Sequence, residues 1–418
     1  MQATVTALEH LLCAVGDPVA ELRGIGPGHA EFERAQIIRA AACVLAKSPD
    51  TLPALERVLH ASDACASTPE FRAHLDAAAA WLAADPVAAG ERYAAILGRS
   101  PHDLLALRLA QSCHFFLGRH DQLCAVIDAI APAWRRDRRD FPFVLAMASF
   151  AHAENGDAER AEALGRQALA HNPACPMGVH AVAHAIAESG RHDRGAQWMR
   201  EQSLHWAGDS RMRSHNAWHL ALFDVEDGDP ASALGILDAW LMPASAHSPL
   251  DACDAAALLW RLSLCGVDAA ERWAKISDAF ERDSTPGFWP YVDLHAGLAH
   301  LSAGKFGRAR RLGRALARCA RGASHAAARA RSVTLPGLAA LGAWAKRRYG
   351  DAARLLAALQ PRICEAGGSR FQLELFRSIG NEAARLHRSL RPVAPAPAPT
   401  LPIGSAVASL SGLTALQS

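Results

Sequence analysis

Apolar residues along this chain recur every three or four positions rather than every second one, as in "VHAVAHAIAESGR" and "EFERAQIIRAAACVLAKSP". That interval is the repeat of one helix face, and there is almost no β-branched alternation to suggest strands. The pattern predicts an all-α chain. Turn-like glycines cut it into units: Gly118, Gly156, Gly190, Gly228, Gly266, Gly304 and Gly350 each follow one amphipathic segment and precede another. Successive separations are 38, 34, 38, 38, 38 and 46 residues by subtraction. In "GDAERAEALGRQALAHNP" the small residues Ala161 and Ala168 allow two helices to approach closely, and Pro173 closes the unit. This is the pattern of a tetratricopeptide repeat. One such hairpin cannot bury its own apolar face, so neighbours must stack, and stacking predicts an α-solenoid wound as a right-handed superhelix. Ala84 falls at the glycine position, 34 residues before Gly118.

The solenoid is expected over residues 61–388, preceded by an N-terminal helical segment, 1–60, that is a candidate cap. The Pro/Ala-rich stretch 389–418, including "RPVAPAPAPTLPIGSAVASL", is expected to be a disordered tail.

Half of the 418 residues are apolar, enough for a large core. With 44 basic and 42 acidic residues the formal charge is +2, which gives no overall attraction to nucleic acid or anionic membrane. No helix-turn-helix signature or aromatic-basic interleaving points to nucleic acid. The N-terminal stretch carries Glu9 among its apolar residues and no basic lead-in, and no uncharged run is long enough to span a bilayer. The ten cysteines are scattered without a CxxC. A cytoplasmic protein is expected, with cysteines serving as small buried hydrophobes.

Twenty histidines bring in candidate chemistry. At about 100° per residue, each can be given a phase relative to its own turn residue. His74 and His180 lie ten residues before theirs, His184 six, His215 thirteen, and His219 and His295 nine. These six fall within an arc of roughly 100°. His114, His152 and His300, each four before the turn, fall outside it. The pairs His180/His184 and His215/His219 have i,i+4 spacing in consecutive repeats, so four imidazoles can converge on Zn²⁺ or Fe²⁺. Neither pair carries the Glu of HExxH. The competing reading makes the same histidines, with Asn216 and Trp218, a buried hydrogen-bonding network between stacked hairpins.

One charged segment stands apart. From Leu294 to Gly350 there are twelve Lys or Arg and no acid, and Arg310, Arg314, Arg318 and Arg321 draw a cationic stripe on one helix. This 305–348 segment is a candidate site for an anionic ligand, although an outward helix face filled with solvated arginine explains it more simply. No GxxxxGK[ST], GxGxxG after a strand or GxSxG occurs, so nucleotide hydrolysis and α/β-hydrolase chemistry find no support in the sequence.

Several strings, "HDLLALRLAQSCHFFLG", "VHAVAHAIAESGR", "HNAWHLALFDVEDGDPASALGILD", "DAAALLWRLSLCGVDAAERW" and "YVDLHAGLAHL", resemble the tetratricopeptide repeat protein 38 family from about residue 60 to about residue 385. The resemblance implies the repeat fold and little about chemistry. It places His74, His180, His184, His215, Asn216, Trp218, His219, Arg261 and His295 on the family's recurring motifs. Two functional readings follow. The first is a scaffold binding a peptide or small molecule in a concave groove, with His74, Asn216, Trp218, Arg261 and His295 as groove residues. The second is a metal-dependent enzyme or metal-binding protein using His180, His184, His215 and His219 as ligands.

Overall fold

A computed structural model describes residues 2–63 and 67–390, and among these the only β pairing is an isolated bridge between Val15 and Ser210. The tail expected over 389–418 lies, from residue 391 on, outside the described residues. The chain is an α-solenoid of tetratricopeptide-like hairpins. Its N-terminal helices are α1 (Gln2–Cys13), α2 (Phe32–Ala46) and α3 (Leu52–Asp63). The first four hairpins are α4 (Pro69–Leu82) with α5 (Pro86–Arg99), α6 (Leu104–Leu117) with α7 (His120–Ile130), α8 (Phe141–Glu154) with α9 (Ala158–His171), and α10 (Pro176–Glu188) with α11 (His192–Glu201). A short helix α12 (Ser203–Trp206) leads to α13 (Arg213–Glu226), whose partner α14 (Pro230–Ile236) runs through a π-helical turn into α15 (Met242–Ser245). Two hairpins follow, α16 (Pro249–Leu264) with α17 (Ala270–Asp283) and α18 (Pro290–Ser302) with α19 (Phe306–Cys319). In the last, α20 (His325–Arg329) continues through a second π turn into α21 (Leu335–Ala345), which pairs with α22 (Tyr349–Leu359) before the terminal α23 (Arg370–Ser389). No described helix is long and apolar enough to cross a membrane.

The turns have a common chemistry. Gly118, Gly156, Gly190, Gly228, Gly266 and Gly304 all have positive φ, the left-handed conformation that ends a helix and that only glycine adopts without cost. Where aspartate follows, it caps the next helix: Asp157 and Asp229 accept the backbone N–H of Arg160 and Ser232. Ala84 takes the same role with φ 58°, ahead of the cap Asp85. The seventh turn differs from expectation. Arg347, φ 58°, makes it, and Gly350 lies inside α22, where a Cβ would come within 2.8 Å of the His387 ring. A glycine kept for close helix contact resembles a turn glycine in sequence alone.

Two segments tie distant hairpins together. After α22 the chain turns back through Gln360–Ala366 toward α6 and α18. Arg329 donates to the carbonyl oxygens of Phe116, Glu365 and Ala366 at 2.8, 2.8 and 3.1 Å, and His120 Nε2 donates to Gly368 O at 2.9 Å. The fit leaves no room for side chains: a Cβ on Gly118 would sit 1.6 Å from Cys364 O, and one on Gly367 2.3 Å from Phe116 O. At the other end of the sequence α1 lies against α10, and Arg211 donates to the carbonyls of His10, Val15 and Gly16. Helix α2 packs on α4 and α6. The central first helices are thereby closed in.

Candidate metal centre and its cavity

Helices α10 and α13 are successive first helices, and their i,i+4 pairs face one another across the seam. His180 Nε2 lies 3.0 Å from His184 Nε2 and 3.0 Å from His215 Nε2. One nitrogen from each of His180, His184, His215 and His219 falls within 4.8 Å of the others. Neighbouring nitrogens bound to one ion at about 2.1 Å stand about 3.0–3.4 Å apart, so His180 already has that spacing to His184 and to His215.

The far nitrogens fix the tautomers. His184 Nδ1 is 2.9 Å from Glu154 Oε1, and His215 Nδ1 is 2.6 Å from Asp254 Oδ2. A carboxylate accepts hydrogen bonds, so both Nδ1 atoms carry protons and, in the neutral rings, both Nε2 lone pairs point at His180. His180 Nε2–H can satisfy only one of them. His180 Nδ1 and both nitrogens of His219 are buried with no hydrogen-bond partner. Burial, reinforced by the neighbouring imidazoles, holds His180 and His219 well below the usual histidine range, so both are neutral. A divalent cation would accept all these lone pairs at once, and carboxylate-histidine pairs are the customary outer support of metal-ligating imidazoles.

Both carboxylates are built in. Glu154 is 2% exposed, at the end of α8, and also accepts the backbone N–H of Arg370 at 2.8 Å. Burial alone would raise its pKa, but His184 and that N–H hold it below the ordinary glutamate value. Asp254, in α16, is 3% exposed and accepts from Gln372 Nε2 at 3.4 Å. At His215 desolvation opposes the charged form, and Asp254 outweighs it to raise the pKa. Aromatic rings pack against the cluster: Phe150 stacks on His180 at 5.6 Å, Trp218 on His215 at 5.2 Å and Phe371 on His219 at 5.5 Å.

His180, His184 and His215 form part of the wall of a cavity of about 260 Å³, and His219 lies behind them. Phe115, Phe143, Met147, Phe150 and Leu250 make most of the remaining wall apolar. His184 also borders a second, more open cavity of about 760 Å³, lined by Glu188, Arg261 and Arg370 among others.

The other sequence candidates take separate places. His74, 3% exposed on α4, donates through Nε2 to Asp103 at 2.8 Å. His295, fully buried on α18, meets Tyr291 O at 2.7 Å. Arg261 donates to Ala257 O, and Asn216 and Trp218 are fully buried on α13. None of these five lines the smaller cavity. The out-of-phase histidines turn to the preceding second helix: His300 Nδ1 is 2.8 Å from Ser277 Oγ, His152 Nδ1 3.8 Å from Cys124 Sγ, and His114 approaches Gly90. Nothing in the sequence pattern marks Asp254 or Phe371 as neighbours of the histidines. The one available signal for Glu154 was an acid inside an otherwise apolar first helix, "AMASFAHAE".

No known protein-family profile matches the chain. Among solved structures it is similar to one described as the APC/C hetero-tetramer Cut9-Hcn1, at 13% identity over 90% of this chain and 69% of that one, with a TM-score of 0.45. It is also similar to a Rap protein complexed with competence and sporulation factor, at 10% identity over 92% and 98% of the two chains, with a TM-score of 0.44.

Proposed function

We propose that this protein is a divalent-metal-dependent enzyme of the tetratricopeptide repeat protein 38 type, with His180, His184, His215 and His219 holding Zn²⁺ or Fe²⁺. One observation carries the reading: His180 Nε2 lies 3.0 Å from the Nε2 atoms of both His184 and His215, while the opposite nitrogens of those two rings are committed to buried carboxylates. Four neutral imidazoles leave the full charge on the ion, and Glu154 and Asp254 balance it from one shell out. An ion so held would act as a Lewis acid beside the 260 Å³ cavity that His180, His184 and His215 line. The repeat array is the scaffold, and the space it encloses suits a small molecule rather than a peptide.

Elemental analysis of protein prepared without a metal-affinity tag tests this. One equivalent of Zn or Fe is expected, lost in a His184→Ala/His219→Ala double variant that keeps its helical circular dichroism. Metal-free protein that takes up no added Zn²⁺ or Fe²⁺ would end the proposal.

A further inference from the structure

The cavity wall that holds the histidines also carries two cations, Lys47 and Arg108, that no acid answers among the described residues. Lys47 and Arg108 both line it; Arg108 acts on Lys47 and Arg211 on Arg108, and no carboxylate is among the groups whose charge shifts either one. Desolvation is the main influence on each, pulling Lys47 down to about 7 and Arg108 to about 10. Lys47 ends α2 in the left-handed conformation, φ 49°. A glycine there would avoid a cost of about 1 kcal/mol, so the strain accompanies a side chain aimed inward. Its ammonium donates to Leu45 O at 3.3 Å and stands 5.7 Å from the Phe115 ring, which leaves N–H groups free.

Ser112 lies one turn beyond Arg108 on α6, also on the cavity wall. It is 2% exposed, and its Oγ has no hydrogen-bond partner. An orphaned buried hydroxyl beside an unpaired guanidinium is a second sign of a missing acceptor. The backbone adds to it. First-turn or N-cap residues of α10 (Met177), α13 (Met212), α16 (Leu250), α18 (Tyr291) and α23 (Ser369) line the same cavity, so the N-terminal ends of five helices border it. Its acids, Asp251 and Asp254, belong to α16, where Asp254 is engaged by His215.

We infer that the cavity binds a small carboxylate with an apolar body, its carboxylate held by Arg108, Ser112 and Lys47 and its carbon chain lying against Phe115, Phe143, Met147 and Phe150 on the way to the histidine cluster. One guanidinium, one ammonium and one hydroxyl suit the two oxygens of a carboxylate, and the apolar Phe115, Phe143, Met147 and Phe150 on the same wall suit a carbon chain. The inference names the substrate class of the proposed metal enzyme. It rests on that reading only for which end of the ligand meets the ion.

Linear carboxylates from acetate to octanoate, with the matching alcohols and hexyl phosphate, provide the probes, titrated calorimetrically into the full chain with and without metal. Affinity should rise by about fourfold per methylene until the cavity is full. Hexanoate should bind at least tenfold more tightly than hexanol. Arg108→Gln and Lys47→Met should each weaken hexanoate tenfold or more without lowering the melting temperature, and Arg108→Lys should recover part of the loss. Equal binding of acid and alcohol, stronger binding of hexyl phosphate, no binding by any member, or full affinity in both cation variants would overturn the inference. Arg108-dependent binding by a protein that takes up no metal would leave it standing and remove the metal reading alone.

Discussion

His215 Nδ1 and Asp254 Oδ2 meet at 2.6 Å across the seam between two neighbouring hairpins, with both side chains largely withdrawn from water. That bond turns the opposite nitrogen of His215 toward His180. Asp254→Asn removes the negative charge but keeps the shape. Metal affinity should fall about 10- to 100-fold with little change in melting temperature. Competition with a chromophoric chelator measures it, and unchanged affinity would separate Asp254 from the ion.

Glu154 has a double load, because it receives both His184 Nδ1 and the N–H that opens α23. Glu154→Ala leaves two buried donors unpaired and should cost about 2–4 kcal/mol of stability in addition to metal affinity. Urea unfolding of the metal-free protein isolates the structural part. A loss below about 0.5 kcal/mol would show that the segment docks without this contact.

Two turn glycines separate backbone strain from crowding. Gly190 has φ 71° and open space where a Cβ would stand, so Gly190→Ala should cost about 1 kcal/mol. Gly118 has φ 69°, but its Cβ would overlap Cys364 O. Gly118→Ala should cost at least about 2 kcal/mol more, because the returning segment must be displaced. Similar melting temperatures for the two variants would contradict this.

Acid should destabilise the fold through histidines outside the site. Burial holds His114 and His300 near 4, against about 6.5 in the unfolded chain. The unfolded state therefore takes up protons first as pH falls. Stability is complete above about pH 6.5 and declines toward pH 4, by on the order of 3 kcal/mol for each residue at the lower limit. In His300→Gln the melting temperature should fall less between pH 7.5 and pH 5 than in the unaltered protein. An equal fall would remove His300 from the cause.

The repeat can be read from sequence because six turns write themselves locally, each as a glycine with positive φ, and two of them with an aspartate cap after it. The histidine phases were likewise local, and they separated the rings facing the next first helix from those facing the preceding second helix. Phase gives rotation about a helix but not position along the stack. Successive first helices stand about 8–10 Å apart, so His74 and His295 share an orientation with the cluster without joining it. The carboxylates escaped notice because Glu154 and Asp254 lie 30 and 39 residues from the imidazoles they hold, each on an adjacent hairpin. Lys47 was hidden by a backbone conformation that its residue type does not advertise.

The bonds from His120 to Gly368, Arg329 to Phe116 and Ser210 to Ala14 join residues 248, 213 and 196 positions apart. An open row of hairpins can fray from either end, losing one unit while the rest survive. These ties fasten the row like a buckled belt. Releasing any hairpin between them breaks one of these ties, so calorimetric heating should give a single sharp endotherm, and proteolytic nicking should find no stable fragment that keeps only part of the array.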